Sequence, residues 1–131
     1  MTKNEHCKDT ANWRRLYNLH YEKLERAINF MIRYEISYCK KHIRSNMTID
    51  ELIGMSNYLR INYFNDVPMY LIMSGINNYI ICVGMPSLPD ETMEYIRMIY
   101  AADVEEFKMN ELRRRFDEAN KKNWFMDWLG L

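Results

Sequence analysis

All three prolines of this chain, and every glycine except Gly130, fall between Gly54 and Pro89. Glycine interrupts helices through its backbone entropy, and proline through its missing N–H and the clash of its ring. Residues 1–53 and 90–129 are therefore free to form long helices, while the punctuated middle is where the chain turns. The fold class that follows is mainly α, a single helical domain over residues 1–131 whose long N- and C-terminal helices flank an apolar middle. An α+β alternative, with a small antiparallel meander at about 58–84, stays open because of the apolar runs in that middle.

A chain of 131 residues suits one domain with one core. With apolar residues at 48% and charged residues at 27%, it has enough apolar side chains to exclude disorder as its native state. Cys7, Cys39 and Cys82 are odd in number and far apart, which is no disulfide framework and points to a reducing compartment. The first residues lack the apolar segment of a secretory signal, and no apolar run approaches the length needed to span a bilayer, so the expected location is the cytoplasm. Abundant methionine, asparagine, tyrosine and isoleucine with no glutamine suggest an AT-rich genome, such as that of a phage or mobile element.

The charges cancel overall, 18 basic against 18 acidic, but are segregated. Residues 1–53 carry 10 basic and 7 acidic groups, residues 54–106 carry 2 and 7, and residues 107–131 carry 6 and 4. If the flanks pack together, the surface is bipolar and orients a charged partner.

Thr10 or Asn12 can cap a first helix, after which Trp13, Tyr17, His20, Leu24, Ala27, Met31, Tyr34 and Tyr38 recur at steps of three and four. Leu16, Ile28, Ile32 and Cys39 widen this stripe, and Glu22 with Arg26 has the favourable i,i+4 spacing. An unbroken helix from Ala11 to Arg44 would be about 50 Å long, against a diameter of about 36 Å for a compact domain of this size. Such a helix must break near Tyr34–Tyr38, belong to an elongated molecule, or have its protruding end covered by a second subunit.

After an exit at Arg44-Ser45-Asn46, Thr48 and Glu51 form a capping box that starts a second helix at Ile49. In the middle, the preferred reading takes Asp66 as an N-cap, Pro68 in the first helical turn, and Met69, Ile72, Met73, Ile76, Ile80 and Val83 at helical spacing up to Gly84. Ser87 then caps a third long segment with Pro89 in its first turn, running as one helix or as two that meet at Ala101–Asp103. Met93, Ile96, Ile99 and Tyr100, then Val104, Phe107, Leu112, Phe116 and Ala119, are its expected inward positions.

No pattern for catalysis, nucleotide binding or metal coordination stands out. Cys39 and His42 share a helical face, but His6, Cys7, His20 and Cys82 are too scattered to complete a metal site. No oxyanion hole accompanies a cysteine–histidine dyad, and His20 on the apolar stripe reads as a core or interface residue. No enzyme, metal or cofactor is expected.

Arg113, Arg114, Arg115, Lys121 and Lys122, with Lys40, Lys41 and Arg44, are the candidate nucleic-acid contacts. Consecutive arginines on a helix diverge by about 100°, and Glu111–Arg115, Asp117–Lys121 and Glu118–Lys122 have the spacing of ion pairs on a solvated face. The terminal segment, with Trp124, Phe125, Trp128 and Leu129, either folds back on the core near Trp13 or anchors a partner or second copy. Lys121 and Lys122 beside it leave a membrane-surface role as a third option.

The function these features favour is a small non-catalytic protein-binding protein, a regulator or inhibitor that occludes a surface of a larger protein. A homodimer is a further expectation, and a nucleic-acid-binding regulator using the basic helix faces is the alternative.

Overall fold

The computed structural model describes the backbone of residues 3–130 and the side chains of residues 8–122 and 126–130. The described residues form helices joined by turns, without strands, in the order α1 (Lys3–Phe30), a π-helical turn (Met31–Glu35), α2 (Ser37–His42), α3 (Ile49–Asn62), α4 (Met69–Cys82) and α5 (Asp90–Leu129). The mainly α reading holds, and the meander at 58–84 is replaced by α4. No described helix is long and apolar enough to cross a membrane.

α1 starts at Lys3, so Thr10 and Asn12 lie inside the helix and cap nothing. Its core-facing residues include Trp13, Tyr17 and Ile28, followed by Ile32 in the π turn and Ile36 just after it, whereas Ala27 and, in the π turn, Tyr34 are exposed. The stripe drawn through Ala27 and Tyr34 is therefore one residue out of register. Side chains four residues apart drift around a 3.6-residue helix, and the π turn absorbs that drift by taking in one extra residue. It closes with the Ile36 N–H donating to the Met31 carbonyl at 2.9 Å. Ile36 then leaves the helix (φ −103°, ψ 94°), so the break expected near Tyr34–Tyr38 is real and needs neither glycine nor proline.

α3 starts as its capping box dictates: the Thr48 hydroxyl accepts the Glu51 N–H at 3.2 Å and lies 3.3 Å from the Glu51 carboxylate. α4 is the central helix, with every residue from Leu71 to Ile76 buried. Burial on all sides removes the amphipathic period, which is why its sequence alternates between helix and strand readings. At Gly75 the backbones of α1 and α4 approach closely, and a Cβ there would lie 2.7 Å from Ile32 Cδ1 and 2.9 Å from Ile28 Cγ2.

The ends of α4 are closed by different means. Asp66 is not the N-cap; it sits in the left-handed region (φ 64°) and Pro68 takes the cap position. The cap comes from far along the chain, where Asp103 Oδ2 accepts the Tyr70 N–H at 2.8 Å. At the other end Gly84 (φ 78°) donates to the Ile81 carbonyl at 3.1 Å and Met85 donates to Ile80 at 3.0 Å. That pair of bonds is the Schellman closure, which favours glycine.

α5 begins at Asp90 with Pro89 at the cap position, so Ser87 does not cap it. The buried Thr92 hydroxyl ties its first turn to the Met47 carbonyl at 2.8 Å. It passes Ala101–Asp103 without a break and runs to Leu129. At 1.5 Å per residue it is about 60 Å long.

Candidate functional site

The first half of α5 belongs to the core. Ile96 and Val104 are buried, and Met93, Ile99, Tyr100 and Phe107 pack partly buried against the same cluster. α1 crosses here: Trp13 meets Phe107 edge-on at 6.3 Å, Asp9 pairs with Lys108 at 2.9 Å, and the Tyr100 hydroxyl donates to Asn18 at 3.0 Å. Continued along the helix at 100° per residue, this inward face becomes polar, through Glu111, Arg114, Arg115 and Glu118. From Leu112 onward every described side chain is exposed.

Leu112, Phe116 and Ala119, expected to point inward, therefore do not reach the protein's own core. Leu112 is 42% and Phe116 64% exposed. Phe116 lies nine residues from Phe107, half a turn round the helix. Its neighbours on that outward side are apolar too. Met98, Ala102, Met109, Leu112, Phe116, Ala119 and Met126 are all exposed and keep to positions three, four or seven apart, with Glu105 in the same stripe. This is the spacing of a coiled-coil seam, carried for about 42 Å on the side of α5 turned away from the core.

Charge borders the seam unevenly. Lys108, Arg115 and Lys122 recur every seven residues along one edge. Lys108 is held by Asp9, and the Arg115 guanidinium lies 5.6 Å from the centre of the Trp13 ring. On the far side Arg114 is clasped by Glu111 at 3.1 Å and Glu118 at 2.8 Å. The Arg114 hydrogen bond holds the Glu111 carboxyl below its ordinary range. The ion pairing thus differs from the expected Glu111–Arg115 and Glu118–Lys122 pairs, because Arg114 reaches both acids.

The candidate nucleic-acid residues are not drawn into one patch. Arg114 is occupied by two carboxylates and Arg115 lies over Trp13, while Arg113, Lys121 and Lys122 are exposed. Lys40 and Lys41 stand in the last turn of α2, and Arg44 pairs with Glu51 at 3.3 Å. At the end of α5, Trp128 is 71% and Leu129 47% exposed, so neither folds back on the core beside Trp13. The side chains of Trp124 and Phe125 lie outside the described residues.

His20 is not in the core. It is exposed and rests against Tyr21 and Phe107. The Cys39 thiol is fully buried, and burial pushes it up to about 11. His42 is exposed and stacks on Tyr38 at 3.9 Å. Among the described residues no three His, Cys, Asp or Glu side chains are grouped to hold a metal. A broad depression of about 1200 Å³ is an open groove along α1 at Arg14, Asn18 and Glu22, bounded by Tyr70 and Tyr100.

Comparison with protein-family models, curated proteins and solved structures returned no match.

Proposed function

We propose that the protein is a non-catalytic binding protein, a regulator or inhibitor that docks through the outward seam of α5 onto an amphipathic helix of a larger protein and covers that surface. The observation that carries this reading is the run of α5 past its last core contact, with an apolar stripe at coiled-coil spacing on its solvent side. Most helical stability in proteins comes from packing an amphipathic face, and past the core the apolar stripe of α5 has no such packing among the described residues. Each large apolar side chain on it gains about 1.5–3 kcal/mol when buried.

The basic edge selects the occupant. Lys108 is already compensated by Asp9, so the edge is carried by Arg115 and Lys122; in an antiparallel second copy these would face their own counterparts, and like charges across such a seam are unfavourable. A partner helix with acidic residues beside its apolar stripe meets them with opposite charge. The exposed Leu129, seven residues beyond Lys122, would extend the contact at the end of the helix, while the exposed Trp128 faces away from the seam. The residue usage of the chain is in keeping with a phage or mobile-element source.

The test is co-purification from cells of candidate hosts with wild type beside a Leu112→Asp/Phe116→Asp variant, with sedimentation of the isolated protein in parallel. The expected result is a retained protein that the variant loses while its thermal melt is unchanged, and that Arg115→Glu/Lys122→Glu holds more weakly. Equal retention by wild type and variants, or a stable dimer of the isolated protein broken by Leu112→Asp/Phe116→Asp, overturns the reading.

A further inference from the structure

Tyr17 is 1% exposed, and its hydroxyl is buried without a hydrogen-bond partner among the described residues. Such a group is costly to leave unpaired, and one that persists calls for a water, an ion or another ligand to satisfy it. Tyr17 lines a cavity of about 320 Å³ between α1, the turn joining α3 to α4, and α5. Tyr21 and Phe107 line it too, with ring centres 4.8 Å and 5.8 Å from that of Tyr17. Three carboxylates, those of Asp66, Asp103 and Glu106, share the lining with one guanidinium, that of Arg60, among the described residues.

We propose that this cavity binds a primary ammonium group, with Asp103 as its counter-ion, the Tyr17 hydroxyl accepting one of its N–H bonds, and the rings of Tyr21 and Phe107 as its walls. Aromatic faces attract a desolvated cation, and a nearby carboxylate adds its charge. A bare metal ion would need several ligands at short range, and no such group of three exists among the described residues. An anion would meet an excess of negative charge. Burial, and after it the charge of Asp103, pushes the Tyr17 phenol far above the tyrosine range, so it stays a neutral hydroxyl able to accept. Burial also raises the Asp103 carboxyl, against the opposing pull of the Tyr70 amide, and a bound cation would relieve that cost. The cavity does not involve the outward seam of α5, so this site stands apart from the docking proposal.

A free amine and the side chain of a partner's lysine carry the same group, and two probes separate them. The experiment follows the ring signals of Tyr17 and Tyr21 by NMR during titration with butylammonium chloride and, separately, with Nα-acetyl-lysine methylamide, at constant ionic strength with sodium chloride as control. Saturable shifts are expected with butylammonium; matching shifts with the lysine derivative assign the group to a protein partner, and their absence assigns it to a free amine. Asp103→Asn retains an oxygen for the Tyr70 N–H but no charge, and Tyr17→Phe removes the acceptor; each is expected to weaken binding by about tenfold or more. Tyr17→Phe should also raise the stability of the unliganded protein, because the orphaned hydroxyl is gone. The proposal is overturned if neither probe gives a saturable shift beyond the sodium control, or if Tyr17→Phe binds as wild type does.

Discussion

Two glycines of this chain respond oppositely to the same change. Gly54 lies on the exposed side of α3 with nothing within 4 Å of an added Cβ, whereas at Gly75 that atom would run into Ile28 and Ile32. Gly54→Ala should stabilise the protein by roughly 0.5–1 kcal/mol, the entropy glycine wastes in a helix. Gly75→Ala should destabilise it by about 1–3 kcal/mol, since Ile28 Cγ2 branches from a stiff χ1 and cannot swing aside. Urea denaturation reads both signs directly. Cys39 adds a pH dependence. Its thiol is raised from 9.0 to about 11 in the folded protein, so the unfolded chain loses that proton first. The contribution is complete below pH 9 and is lost as pH climbs towards 11. The urea midpoint should therefore fall across that window more steeply for wild type than for Cys39→Ala. At neutral pH a thiol reagent should modify exposed Cys82 while Cys39 reacts only on unfolding.

Among the elements, those defined by local signals were legible from the chain alone. The Thr48–Glu51 box and the Gly84 stop act within a few residues of themselves, so α3 starts and α4 ends where the sequence places them. The start of α4 was not legible, because Asp103 supplies its cap from 33 residues away. Nor was the register of α1, because a three-four pattern is compatible with several stripes and only packing against α4 selects Ile28, Ile32 and Ile36. The free half of α5 was misread for a related reason: apolar spacing identifies a face to be buried but not the protein that buries it. This half makes few tertiary contacts, so trypsin should cut first at Arg113–Arg115 and Lys121–Lys122, leaving a resistant fragment that ends at Arg113. A bound partner helix should slow those cuts, which electrophoresis of timed digests would show.

At the scale of the molecule, α5 exceeds any compact shape open to the chain. Small-angle scattering of the isolated protein should give a maximum dimension of about 60 Å or more, set by α5, rather than the 36 Å or so of a compact globule of this length. A Leu112→Asp/Phe116→Asp variant should melt within about 0.5 kcal/mol of wild type, because exposed substitutions away from the core change stability little. A larger loss would mean that these side chains support the fold itself. Ionic networks on α5, such as Glu111–Arg114–Glu118, are exposed and hold the helix surface in solution rather than the core together.

The amino-acid sequence by itself favoured a mainly helical chain, placed the exit after Arg44 and the turns of the glycine- and proline-bearing middle, and offered a break near Tyr34–Tyr38 as one of three outcomes for a first helix too long for a compact domain. These outcomes follow from backbone sterics and from hydrogen bonds between near neighbours, which travel with the residues. Tertiary structure alone decided which face of each helix is inside, that α4 is buried on every side from Leu71 to Ile76, and that Tyr17 and Asp103 line one cavity. It also decided that the long C-terminal helix does not break. Those outcomes depend on contacts between residues far apart in the chain, and hydrophobic periodicity carries no record of its eventual neighbour.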